Sequence, residues 1–392
     1  MQSNRKWNRR DFVRAGFLGG GASLAGASAD ASTDPSTKPP APAVRYRTLG
    51  RTKLKVSEVS FGSFGFSASE IFNAALDAGI SFVQTSADYS RGGAEEAIGK
   101  VLANRRKDAV VCTGWTLRAD ATKADILDLL DQSLKRLRTD HIDIMLSHMT
   151  NTMEQVRNPA LYEAFDEARR AKKAAFLGVS SHGGDLPKVL QYAAESGKFD
   201  VMLFKCNFME FPEADQAIAR AKAKNLGVGV FKVEAGARAK ELADYETKGL
   251  THEQAATRWA LARPGVGCVI RAFRTFDDVK GALETMARPF GPEEAAMLER
   301  YRGAFAHAYC RYCGKCEGHC PRGVAVADVM RYAMYYKYYG RERDSMELYA
   351  ALDEPRRANP CADCEGPCEK GCPHGVRVRA QLVEAHRNLM WA

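Results

Sequence analysis

Eight cysteines crowd into the last quarter of this 392-residue chain, in two groups of four. The first reads Cys310-x2-Cys313-x2-Cys316-x3-Cys320, followed by Pro321. The second reads Cys361-x2-Cys364-x3-Cys368-x3-Cys372, followed by Pro373, with one extra residue in its middle gap. Such short gaps let one loop supply three thiolates to a four-iron, four-sulfide cube while a fourth arrives from elsewhere. The proline after the fourth cysteine breaks any local helix and turns the chain away. The unit is doubled: Cys320-Pro321-Arg322-Gly323-Val324-Ala325-Val326 matches Cys372-Pro373-His374-Gly375-Val376-Arg377-Val378, and a helix-like stretch follows each. Zinc is the competing use, but it prefers separated pairs of ligands to three close cysteines with a Cys-Pro end. Disulfides do not require these spacings. The pattern points to two [4Fe-4S] clusters. The remaining cysteines, Cys112, Cys206 and Cys268, stand alone in apolar runs and read as buried strand residues.

The middle of the chain alternates short apolar runs with amphipathic stretches. The runs are Val56–Phe61, Ile80–Val83, Ala109–Cys112, Ile142–Leu146, Ala175–Val179, Val201–Phe204, Val228–Val233 and Gly267–Ile270. They suit buried parallel strands, and Thr122–Leu137 and Leu186–Ala194 suit the helices between them. Eight such strands in an α/β alternation over about 250 residues suggest a (β/α)8 TIM barrel. An open doubly wound sheet has the same periodicity. No G-x-G-x-x-G opens a helix after the first strand, which weakens a dinucleotide-binding reading of that kind. The net charge of +9 is spread along the chain. No basic block interleaved with aromatics is present, so nucleic acid is not an expected partner.

The chain starts Trp7-Asn8-Arg9-Arg10-Asp11-Phe12-Val13-Arg14, then runs through a short Gly/Ala-rich stretch, Ala15 to Ala27, with A-x-A spacings at its end. Arg9-Arg10-Asp11-Phe12 resembles a twin-arginine signal. The stretch is too short and glycine-rich to be a permanent membrane span. Ser32 to Ala43 carries four of the fifteen prolines and reads as a linker. The expected layout is a signal over 1–31, a linker over 32–44, a barrel over 45–300 and a two-cluster domain over 301–392. Export through the folded-protein route, to the periplasm or beyond, follows from the signal.

Within the barrel, Tyr46-Arg47-Thr48-Leu49-Gly50-Arg51-Thr52, Leu76-Asp77-Ala78-Gly79-Ile80, Ala87-Asp88-Tyr89, Ala94-Glu95-Glu96-Ala97-Ile98-Gly99, His141-Ile142-Asp143-Ile144 with His148, and Ala255-Ala256-Thr257-Arg258-Trp259-Ala260-Leu261 occur in that order. From about residue 46 to 290 the sequence resembles the aldo/keto reductase family. The family uses Tyr, Lys, Asp and His at the strand ends. A carbonyl accepting hydride needs a proton, Tyr supplies it, and Lys held by Asp lowers the phenol from its usual pKa of about 10. The resemblance puts Tyr89 and His148 at the tyrosine and histidine positions. Gln84 replaces the aspartate and Gly114, followed by Trp115, the lysine. Ser180, Ser181 and Asn207 fall at nicotinamide-binding positions, with Leu203 where a Gln is usual. Arg274 falls where NADP's 2′-phosphate binds; Ala272 replaces a neighbouring glycine and Arg271 adds a charge.

The first cysteine group is the bacterial ferredoxin-type run. That resemblance implies exchanged ligands: Cys310, Cys313, Cys316 and Cys372 for one cluster, and Cys361, Cys364, Cys368 and Cys320 for the other. The whole resembles the iron–sulfur branch of the aldo/keto reductase-like proteins, a barrel followed by a small helical, ferredoxin-like iron–sulfur domain. Three functions stay open: an exported oxidoreductase passing electrons to a small-molecule substrate or redox partner protein, a non-catalytic electron-transfer or docking module, and an NADPH-dependent carbonyl reductase. Lys205 and Lys232, at strand ends, are conceivable substitutes for the missing lysine, but they read first as salt-bridged or snorkelling lysines. Tyr332, Tyr335, Tyr336, Tyr338 and Tyr339 read as packing for the tail against the barrel.

Overall fold

A computed structural model describes residues 44–181, 183, 185–209, 212–235, 246 and 249–390. The signal and nearly all of the linker lie outside these residues. A two-stranded antiparallel hairpin opens the fold, β1 (Tyr46–Thr48) with β2 (Lys55–Ser57), Tyr46 facing Ser57. Eight parallel strands then close into a barrel: β3 (Val59–Gly62), β4 (Phe82–Gln84), β5 (Val110–Thr116), β6 (Ile142–His148), β7 (Ala174–Ser181), β8 (Val201–Lys205), β9 (Gly227–Phe231) and β10 (Cys268–Ala272), with β10 returning to β3.

The expected run Val56–Phe61 is in fact two strands. Val56 pairs with Arg47 of the hairpin, whereas Phe61 pairs with Arg271 in the barrel. The chain changes partners at Glu58, which accepts from Arg45 Nε and Arg47 Nε, each at 2.7 Å. Ile80–Val83 shifts to Phe82–Gln84, and Val228–Val233 stops at Phe231. Strands β5, β6 and β7 reach past the expected apolar runs to Thr116, His148 and Ser181. Their last residues are polar because they line the barrel mouth, so hydrophobic periodicity ends before the ladder does.

Phe82, Cys112, Ile144, Leu146, Leu203, Cys268 and Ile270 fill the barrel interior, and Leu49 of the hairpin joins them. A larger core lies between strands and helices and runs from Val59 to Tyr301. Thr122, Thr152, Thr251 and Thr275 each cap the following helix with a reciprocal capping box. Each cap stabilises its helix by about 1 kcal/mol.

The helix Pro292–Phe305 packs on His252–Leu261, with a buried Arg258 Nη1–Glu294 Oε1 pair at 2.8 Å. A second core then runs from Tyr312 to Leu389, built on the helices Val326–Tyr338, Glu342–Ala350 and Val378–Leu389. Its doubled sequence is a doubled structure. Glu317, after Cys316, accepts from Ala327 N at 2.8 Å; Glu369, after Cys368, accepts from Arg379 N at 2.9 Å. Each hydrogen bond ties a cysteine loop to the start of the following helix. Among the described residues, no helix is long and apolar enough to cross a membrane.

Candidate functional site at the barrel mouth

Tyr89 follows β4 in a short 3-10 turn, and His148 ends β6. The fold brings them together: Tyr89 Oη lies 3.2 Å from His148 Nε2. On its other side, His148 Nδ1 is 2.8 Å from Asp88 Oδ2 and 3.2 Å from Ser86 Oγ. Burial pushes the Asp88 carboxyl up, but hydrogen bonds from His148, Thr116 and Ser86 outweigh it and hold Asp88 below its ordinary range. Asp88 therefore acts as an anionic brace that orients the imidazole. Sequence reasoning assigned no role to Asp88 or Ser86. Their position beside Tyr89 was the available signal, but an Asp in a turn is ordinarily a local cap.

Gln84 is buried, donates to its neighbour's Thr85 carbonyl at 2.8 Å, and hydrogen-bonds Tyr89. Burial drives the Tyr89 phenol well above its ordinary pKa, and the Gln84 contact offsets this only in part. Gly114 leaves no room for a lysine: a Cβ there would collide with the Leu146 backbone carbonyl on the adjacent strand. Trp115 points the other way, into the helix layer, where its indole N–H donates to Ser133 Oγ at 3.0 Å.

Lys205 and Lys232 both bond to the C-terminal segment. Lys205 Nζ donates to the Arg311 carbonyl at 2.6 Å, and burial lowers its pKa to about 7. Lys232, just after β9 at φ +57, donates to Tyr335 Oη at 2.7 Å. Both partners belong to the C-terminal segment. Tyr335 reaches Tyr89 through Phe64, whose ring lies 5.3 Å from Tyr89 and 6.1 Å from Tyr335. The expected tyrosine packing between tail and barrel is realised here.

The nicotinamide positions are also engaged. Ser180 Oγ accepts from Met149 N at 3.1 Å, and Asn207 Nδ2 donates to Tyr309 Oη at 3.0 Å. Ser181 Oγ is buried with no hydrogen-bond partner among the described residues. Arg274 is exposed, but Arg271 is buried within β10 and ion-paired with Glu253. Arg271 does not join Arg274 on the loop, because alternation along β10 points it into the helix layer. With Asn207 tied to the tail and Leu203 apolar, these residues are a poor fit for a nicotinamide ring.

The cysteines sort into two sets. Cys310 and Cys316 lie within electrostatic reach of each other, of Cys313 and of Cys372. Cys361 and Cys368 lie within reach of each other, of Cys364 and of Cys320. Cys320, Cys361, Cys364 and Cys368 line one cavity together. Burial pushes the Cys310 and Cys316 thiols up to about 12 and Cys361 to about 11. Among the described residues, no three His, Cys, Asp or Glu side chains are drawn close enough to chelate a metal ion as they stand. Cys112, Cys206 and Cys268 are buried, as expected.

The profile of the aldo/keto reductase family matches residues 66–235. The "Uncharacterized oxidoreductase YrpG" of Bacillus subtilis is 27% identical over 314 residues, covering 65% of this chain and 95% of that protein. "Uncharacterized oxidoreductase YqkF" of the same organism is 31% identical over 186 residues; the match takes in 43% of this chain and 59% of YqkF. Among solved structures, the holo form of aldo-keto reductase AKR11C1 from Bacillus halodurans superposes with a TM-score of 0.55 at 21% identity, over 66% of this chain and 96% of that one. An aldo-keto reductase from Klebsiella pneumoniae in complex with NADPH gives 0.56 at 19% identity, over 66% and 95%. By profile match over residues 66–235, strand order and superposition, the barrel of this chain has the aldo/keto reductase fold.

Proposed function

We propose that this protein is an iron–sulfur oxidoreductase whose C-terminal segment holds two [4Fe-4S] clusters and covers the mouth of a barrel that no longer works with NADPH. The observation that carries this reading is the sorting of the eight cysteines into two interleaved sets, Cys372 with the first loop and Cys320 with the second. That sorting supports the exchanged ligation of two-cluster ferredoxins. The donor chemistry also fits. Each set is four thiols, buried or half-buried, which suit soft iron–sulfide cores; binding must displace their protons. When bound, such clusters supply one-electron transfer. The chain's own residues hold the reacting end: Asp88 braces His148, His148 meets the Tyr89 hydroxyl, and tail residues exclude water from the mouth.

Loss of the charged pair at Gln84 and Gly114 and the engagement of Asn207 by Tyr309 weigh against NADPH-dependent carbonyl reduction. The same features give a second reading, in which the barrel is a scaffold for an electron-transfer module. Anaerobic purification should yield about eight irons and eight acid-labile sulfides per chain. Zinc in their place would end the cluster reading. Change in the cluster spectrum on adding small carbonyl compounds would favour the enzyme over the scaffold.

Export is part of the proposal, supported by Arg9-Arg10 ahead of the weakly apolar run. A reporter fused after Ala43 should reach the periplasm through the folded-protein route, and an Arg9→Lys/Arg10→Lys double variant should strand it in the cytoplasm. Undiminished export of that variant would refute this assignment.

A further inference from the structure

We infer that the seam between barrel and tail binds a small carboxylate-bearing molecule through Arg331, Tyr335 and Lys232, beside the Tyr89–His148 pair. The inference rests on the reading of the barrel mouth as the reacting end. Arg331 and Tyr335 stand one turn apart on the helix Val326–Tyr338, so they share a face. Lys232 comes from the end of β9 and donates to Tyr335 Oη at 2.7 Å. Lys232 donates in this bond, so the phenol oxygen accepts and its own proton is directed elsewhere. Phe64 links that phenol to Tyr89 by ring contacts of 6.1 and 5.3 Å.

Arg331 is 4% exposed. Its Nη2 donates to Asp328 at 2.7 Å and its guanidinium lies 5.3 Å from the Tyr332 ring centre, but its Nε has no hydrogen-bond partner among the described residues. Leaving a buried donor unmade costs about 1–3 kcal/mol, more for a charged group, so native structures seldom keep one without a use. The guanidinium reaches the barrel: a Cβ on Gly183, just after β7, would come within 2.7 Å of Nη1. It also lies within electrostatic reach of Lys232 and Lys205. Gathering cations out of water is costly unless an anion joins them. The guanidinium Nε–H and the Tyr335 O–H are donors that the bonds above leave unused. Two donors at the end of a charged seam match the two oxygens of a carboxylate, which arginine's planar fork also suits. No catalytic position of the barrel reading includes Arg331, which comes from the tail.

The test is anaerobic titration calorimetry of the full chain with pyruvate, its neutral counterpart butane-2,3-dione, and inorganic phosphate. Pyruvate should bind at least about tenfold more tightly than the dione. Arg331→Met should weaken pyruvate at least tenfold and leave the dione unchanged. Tyr335→Phe should cost several-fold, and Arg331→Lys should fall between wild type and Arg331→Met, keeping the test usable if Arg331→Met fails to fold. Equal binding of pyruvate and dione, no binding of either, tighter binding of phosphate, or an unaffected Arg331→Met would overturn the inference. Iron is counted on the same samples. Full iron with no carboxylate preference defeats this site alone, and a carboxylate preference without iron defeats the cluster reading alone.

Discussion

Replacing Cys372 with serine should remove the cluster whose other ligands lie more than fifty residues upstream, at Cys310, Cys313 and Cys316. Cys372 is within electrostatic reach of Cys310 and Cys316, whereas Cys361 and Cys368 have Cys320 as their fourth neighbour. Iron should fall from about eight to about four per chain in Cys372→Ser, and equally in Cys320→Ser. Double variants separate exchanged from local ligation. Cys310→Ser/Cys372→Ser should lose no more iron than either single change, because both strike one cluster. Cys310→Ser/Cys320→Ser should lose nearly all of it. Independent sites add and shared sites do not. If Cys310→Ser/Cys320→Ser retained about half the iron, each loop would be using its own fourth cysteine, and the exchange would be wrong.

Turnover of NADPH with aldehydes or ketones should be at or near background. General acid catalysis ordinarily contributes about 10²–10⁴-fold. Here its donor is untuned, because burial raises the Tyr89 phenol and the Gln84 hydrogen bond offsets this only in part. Each unit of lost tuning is about 1.4 kcal/mol. Restoring the family residues with Gln84→Asp/Gly114→Lys should not rescue activity. Strands β5 and β6 approach so closely that any side chain at 114 strikes the Leu146 carbonyl. Overpacking of this kind typically costs about 1–3 kcal/mol, and here the obstacle is backbone, so the variant should melt several degrees lower. Gln84→Asp alone should fold normally, which separates the two effects. Robust NADPH turnover by the unaltered protein, abolished in Tyr89→Phe, would show that the mouth still works as a carbonyl reductase.

Much of the barrel was legible because its strands are buried on both sides and write continuous apolar runs, such as Ile142 to Leu146. Where it was not, the cause was local. Glu58 is a charged residue inside an apolar run, and only the two arginines of the hairpin make it a change of pairing partner. Thr116, His148 and Ser181 extend strands with polar residues that periodicity discounts. At the mouth, Tyr89 and His148 were readable from family order, and the structure joins them. Asp88 was hidden as an ordinary turn residue. The lysines were visible, but their partners, Arg311 and Tyr335, lie about a hundred residues away and on another core. Arg271 adds a charge beside Arg274 in the sequence, but alternation along β10 turns it outward to Glu253 in the helix layer. The doubling of the cysteine loops was legible from the chain's own repeat, which carries Glu317 and Glu369 into matching bonds.

If eight thiols hold two iron–sulfur cubes over the barrel mouth, iron, sulfide and spin should all count to two cubes per chain. Redox-titrated electron paramagnetic resonance of anaerobically purified protein, with iron and sulfide counted on the same sample, tests it most directly. The account predicts an oxidised protein with little signal and a reduced one with about two spins per chain, broadened by coupling between neighbouring clusters. A protein that stays silent throughout the titration, holds stoichiometric zinc and releases no sulfide on acidification would contradict it.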